Sequence, residues 1–155
     1  MKSNYKNPMV IAEIGCNHKG EMNIAKELLL ISSQCGAEVA KFQKRNNKEL
    51  LTEEQYNAPH PNPMHSYGNS YGAHREFLEF DVNQHQELKE YAESLGIIYS
   101  TSVWDTTSAK EIISLNPELI KVPSACNNHF EMLKVLRDDY QGEIHISFGM
   151  TTKDE

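Results

Sequence analysis

Ile11-Ala12-Glu13-Ile14-Gly15-Cys16-Asn17-His18-Lys19-Gly20 is the stretch that decides how the rest of the chain is read. The apolar run from Pro8 to Ile14 carries Glu13 toward its carboxyl end and stops at a glycine and a polar turn. Ile24, Leu28 and Ile31 then recur at helical spacing, with Asn23 placed as a cap. This is a strand, a loop and a helix, with Glu13, Asn17 and His18 gathered where the strand empties into the loop. In α/β proteins ligands meet the chain at the carboxyl ends of parallel strands. Taken alone, Glu13 also fits a partnered polar residue that closes a strand. The recurrence of the arrangement downstream is what favours a site.

Ala37 to Phe42 makes a second apolar run, with Lys41 inside it and Gln43-Lys44 after it. Ile97 to Thr101 makes a third, ending in Ser100-Thr101-Ser102. Leu119 to Pro123 is the fourth, with Lys121 inside and Ser124 beyond, and Glu143 to Phe148 the fifth, with His145 and Ser147 inside. Helical patterns separate them. Asp81-Val82-Asn83-Gln84 has the form of a capping box, and its helix continues through Leu88, Tyr91 and Leu95 to Gly96. Asp105-Thr106 opens a helix with Ile112 and Ile113 inside, stopped before Pro117. Asn128 opens another, with Phe130, Leu133 and Leu136 inward. The expected strands are Met9–Gly15, Glu38–Gln43, Ile97–Ser102, Leu119–Pro123 and Glu143–Phe148, joined by four helices into a parallel sheet.

Composition bounds the classes that remain. The 155 residues are 39% hydrophobic and 24% charged, enough for one ordinary core. No apolar run approaches the ~20 residues of a membrane span. Met1-Lys2 is basic but no apolar h-region follows, so a cytoplasmic protein is expected. The net charge of −7 argues against nucleic acid or an anionic membrane as partner. Three cysteines without metal-like spacing suit a reducing compartment. Cys35 fits a helix core, while Cys16 and Cys126 lie just past strands with no base visibly beside either.

Against that acidic balance the strand lysines stand out. An ammonium inside an apolar strand must be solvated or paired, because an unpaired buried charge is costly. Lys41 and Lys121 each pair with a buried carboxylate, for which Glu13 is a candidate, or they line an anion pocket. Thr101, Ser124 and Ser147 would add hydroxyl donors to such a pocket, and two lysines with several hydroxyls favour it. The segment from Lys44 to Phe80 breaks the rhythm with Pro59, Pro61, Pro63, Tyr67-Gly68 and Tyr71-Gly72. It is expected to be a long loop with ordered turns over a site mouth. His60 and His65 show no spacing suited to a metal.

Ile11-Ala12-Glu13-Ile14-Gly15 with Asn17-His18 and Gly20 resembles the opening strand and loop of sialic acid synthases. Ala40-Lys41-Phe42-Gln43, Tyr71-Gly72-Ala73-His74-Arg75, Ser100-Thr101-Ser102, Lys121-Val122-Pro123-Ser124 and Ile146-Ser147-Phe148-Gly149-Met150 follow in that family's order. The resemblance implies a (β/α)8 TIM barrel, of which this chain supplies about the first five strands and four helices. It implies condensation of phosphoenolpyruvate with N-acetylmannosamine or a related hexose, and release of phosphate. By the same resemblance, Lys41, Gln43, Thr101, Lys121, Ser124 and Ser147 bind substrate and Glu13 is catalytic. A divalent metal, Mn²⁺ or Mg²⁺, is implied with ligands outside this chain, as are a homodimer and a later antifreeze-like domain.

Two departures follow from the same comparison. Ala125 and Cys126 stand where that family carries glycine and an acidic residue that contacts the acceptor sugar. Five strands are too few for a barrel of roughly 250 residues, so the chain is expected to be the amino-terminal part of a longer synthase. Thr151 to Glu155 would begin its next helix. Another phosphoenolpyruvate-dependent barrel synthase and a non-catalytic half-barrel are the alternatives.

Overall fold

The computed structural model describes residues 7–149 and 151–152. Five parallel strands lie in sequential order: β1 (Ile11–Gly15), β2 (Val39–Lys44), β3 (Ile98–Val103), β4 (Leu119–Val122) and β5 (Glu143–Ile146). The ends at Gly15, Leu119 and Glu143 fall where expected, and the other strand ends differ by one or two residues, as strand termini do. Met9, Val10, Ser147 and Phe148 fall outside the ladder. Of the helix expected from Thr151, Thr151 and Thr152 are not helical, and residues 153–155, with Met1, Lys2 and Met150, lie outside the described residues.

Helices connect every pair of strands: α1 (Met22–Gln34) after β1, α5 (Val82–Ser94) after β2, α6 (Thr106–Ser114) after β3 and α7 (Phe130–Asp139) after β4. Between β2 and α5 lie α2 (Asn47–Leu50), α3 (Glu53–Asn57), the 3₁₀ turn Pro63–His65 and α4 (Tyr71–Phe77). The segment expected as a loop is therefore a chain of short helices. Thr52, Asn62 and Ser70 each accept a backbone N–H at a helix start, which is why polar residues so dense there still make ordered turns.

Strand alternation sorts the sheet into two faces. Ile14, Ala40, Phe42 and Tyr99 pack with Leu29 and Leu88 of the helices, and Val103, Ile120 and Val122 pack with Ile112, Met132 and Leu136. The opposite face carries Glu13, Lys41, Ser100, Ser102 and Lys121. A sheet apolar toward its helices and polar on the other side, with sequential parallel order, is the arrangement of a (β/α)8 barrel, here five strands and the four helices that connect them.

Several local expectations are corrected. Glu21, not Asn23, precedes α1, and its side chain makes no capping bond. The buried stripe of α1 is Ala25 and Leu29, while Ile31 and Cys35 are exposed. His129, not Asn128, caps α7, and Met132 and Leu136 point inward whereas Phe130 is 73% exposed. The α1 stripe and the α7 cap are each off by one residue, about 100° on a helix, and the α1 cap by two. The Asp81 capping box and the Asp105 cap form as expected.

Candidate functional site

Register fixes which side chains meet. On the inward face, Glu13, Lys41, Ser100, Leu119 and Glu143 form one layer across β1 to β5. Gln43, Ser102, Lys121 and His145 form the next layer toward the carboxyl ends. Neighbouring strands lie about 4.8 Å apart, so side chains in one layer touch or nearly touch. Thr101 is brought to the other side: it shares its face with Tyr99 and Val103, under the helices, and is fully buried. The sequence placed the hydroxyl donor one residue off. Ser100 and Ser102 occupy the lysine face instead, both buried, and the Oγ of Ser100 has no protein partner. The missed signal was the period of two. Counting by twos from the residues paired with Lys41 selects Ser100 and Ser102.

Glu13 accepts a hydrogen bond from Lys41 Nζ across the β1–β2 ladder. Lys41 is nearly enclosed, and burial first, the nearby Lys121 ammonium second, push it down to about 8. Burial also lowers Lys121. Lys41 therefore has one carboxylate partner and a second cation within electrostatic reach. Gly15, at φ +56° beside the β1 irregularity, leaves room for this pair: a Cβ there would lie 3.0 Å from Gln43 Nε2 and 3.4 Å from Glu13 Oε1. Ser124 opens a 3₁₀ turn past β4, and its Oγ would be 3.4 Å from a Cβ on Gly149. The Ser147 N–H donates to the Val122 carbonyl at 3.0 Å, bringing the ends of β4 and β5 together.

The loops above these strands are tied down by buried polar contacts. Arg45 Nε donates to Glu79 Oε1 at 2.5 Å and its Nη2 to Cys16 Sγ at 2.8 Å, joining the β1 loop to the end of the helical segment. Asp105 accepts from the N–H groups of Asn46 and Ser108, both at 2.7 Å. His18 is buried against Phe80, ring centroids 4.1 Å apart, and burial pushes it down to about 4. It is a neutral packing residue, not a partner of Glu13. Neither loop cysteine has a base: Cys16 is held by Arg45 and its thiol is pushed up by burial, and Cys126 Sγ donates to the Trp104 carbonyl at 3.2 Å.

Among the described residues no three or more His, Cys, Asp or Glu side chains are placed to hold a metal ion. The carboxylates of this face are committed to other partners, Glu13 to Lys41 and Glu143 to His145, so the residues in hand do not fit the implied divalent cation. Also among them, no helix is long and apolar enough to cross a membrane.

The NeuB family is matched over residues 28–155. Human N-acetylneuraminate-9-phosphate synthase is 35% identical over 145 residues, covering 94% of this chain and 40% of that protein. N,N'-diacetyllegionaminic acid synthase of Campylobacter jejuni is 29% identical over 150 residues, covering 97% and 45%. The chain thus spans less than half the length of either relative. The solved N-acetylneuraminic acid (sialic acid) synthetase of Leptospira borgpetersenii, crystallised with citrate, superposes with a TM-score of 0.79 at 22% identity over 99% of this chain and 50% of its own.

Proposed function

This chain belongs to the NeuB family, and on that footing we propose that it forms the phosphoenolpyruvate side of a sialic-acid-type synthase. In this reading it is the amino-terminal part of the protein's barrel. The reaction joins phosphoenolpyruvate to the aldehyde of N-acetylmannosamine or a related hexose derivative, giving a nine-carbon 2-keto-3-deoxy sugar acid and inorganic phosphate. The observation that carries the proposal is the pair of ammonium groups, Lys41 and Lys121, on one sheet face of an acidic protein, close enough that one lowers the other. Glu13 answers Lys41 and Glu143 is taken up by His145, which leaves the second ammonium without a carboxylate of its own and open to a multiply charged anion.

The residues take roles accordingly. Lys41 and Lys121 hold the phosphate and carboxylate, with Ser102, Gln43, Ser124 and Ser147 donating around them. Glu13 orients Lys41 and faces the sugar, as a hydroxyl anchor or proton acceptor. No step is drawn through a metal, because the described residues do not form its ligand set. The acceptor is a sugar by kinship with relatives whose names specify two different products. Cys126, buried and turned to the Trp104 carbonyl, offers the acceptor no acidic contact, so its selection falls to other groups. The test is phosphate release by the full-length protein, with Mn²⁺ or Mg²⁺ supplied. Release that requires both phosphoenolpyruvate and an amino-sugar aldehyde supports the reading; release from phosphoenolpyruvate alone, or none with any hexose acceptor, rejects it.

A further inference from the structure

We propose that His145, oriented by Glu143, is a further catalytic residue, the base that takes a proton from the water attacking the enol-derived carbon. The inference rests on the phosphoenolpyruvate reading above. His145 pairs with Lys121 in the β4–β5 register and so lies beside it on the inward face. Its Nε2 is 2.5 Å from Glu143 Oε1, two residues earlier on the same face. A carboxylate accepting the Nε2 proton fixes the tautomer and leaves the Nδ1 lone pair as the acceptor. Among the described residues Nδ1 makes no hydrogen bond.

The other groups on this face are unsuited to the task. Lys41 and Lys121 are cations held for the anion, Glu13 is engaged by Lys41, and the Cys126 thiol is turned to the Trp104 carbonyl. The charged groups facing His145 are Lys121 from β4 and Glu143 from its own strand, with Lys41 and Glu13 farther along. The helix side of β5 presents only Ile144 and Ile146. Position supplies the second argument. Glu13 on β1 and His145 on β5 flank the lysine pair from opposite sides. The condensation handles protons at two separated atoms, the sugar oxygen and the attacking water, and one flank can serve each.

The balance is complete without a redox partner. The enol carbon bonds to the aldehyde carbon, leaving an alkoxide and a cation-like C2. Water bonds to C2 as its first proton passes to His145 Nδ1, the alkoxide takes a proton from solvent on the Glu13 flank, and the imidazolium then returns its own proton to solvent. Its second proton leaves with the phosphate as the C2–O bond breaks and the ketone forms.

His145→Gln and Glu143→Gln in the full-length protein test this. His145→Gln is expected to lower kcat on the order of 10²- to 10⁴-fold and to leave the Michaelis constant for phosphoenolpyruvate within a few-fold of wild type. The fall of wild-type kcat on the acid side should be absent in His145→Gln. In Glu143→Gln it should move to lower pH, because loss of the carboxylate disfavours the imidazolium. A normal kcat and acid limb in His145→Gln, or a rise in the Michaelis constant alone, overturns the assignment. Should His145→Gln fail to fold, the Glu143→Gln profile decides by itself, an unmoved limb counting against the dyad. Failure of the wild type to release phosphate is a different result and rejects the underlying reading.

Discussion

Lys41 holds the centre of the account at the scale of single residues. Only its charged form attracts an anion, and its pKa lies at about 8. Phosphoenolpyruvate binding should therefore weaken as pH rises through about 8, with proton uptake on binding in that range. Calorimetric titrations at pH 7 and pH 9 check this, and equal affinities would remove Lys41 from the site. His18 and His85 give a second, opposite-signed prediction, about stability. Burial lowers them to about 4 and about 3. The unfolded chain, with ordinary histidines near 6.5, binds more protons between those limits, so stability is full above 6.5 and is lost as pH falls below it. Urea midpoints should drop between pH 7 and pH 5, and His18→Phe should flatten the drop. An unchanged midpoint in the wild type would contradict their burial as neutral groups.

Strands were legible in the sequence at the scale of elements, and side-chain direction was not. All five strands and four connecting helices follow from apolar runs and caps such as Asp81 and Asp105, because these signals are local. Thr101 was misplaced because Ser100-Thr101-Ser102 offers a hydroxyl on either face, and only pairing with β2 decides which face sees Lys41. The short helices between Lys44 and Phe80 were missed for a related reason. Arg45–Glu79 and Asp105–Asn46 tie that segment down across long separations that no local pattern contains. The facing assignment makes a paired prediction. Ser102→Ala should raise the Michaelis constant for phosphoenolpyruvate roughly tenfold, the loss of one hydrogen bond to a charged group. Thr101→Val should leave it near wild type, since Thr101 is fully buried on the helix side of β3, away from the lysines. The reverse pattern would show that the strand presents its other face to the substrate.

The five strands leave β1 and β5 as open edges of the described molecule, with Met9, Val10, Ile146 and Phe148 exposed beside them. An open edge with apolar neighbours favours self-association. The 155-residue chain expressed by itself should sediment as oligomers and release no phosphate from phosphoenolpyruvate; a stable, active monomer would contradict this. In a closed barrel the same polar face becomes the wall of a pocket, where preorganised charges act with little competition from water. The account stands or falls on whether Lys41 and Lys121 hold phosphoenolpyruvate there. The direct measurement is the Michaelis constant for phosphoenolpyruvate in Lys41→Ala and Lys121→Ala forms of the full-length protein. Each should rise roughly 10- to 150-fold, the loss of a charge-assisted contact of about 1.5–3 kcal/mol; unchanged constants in both would leave the lysines as structural ion-pair partners and contradict the anion site.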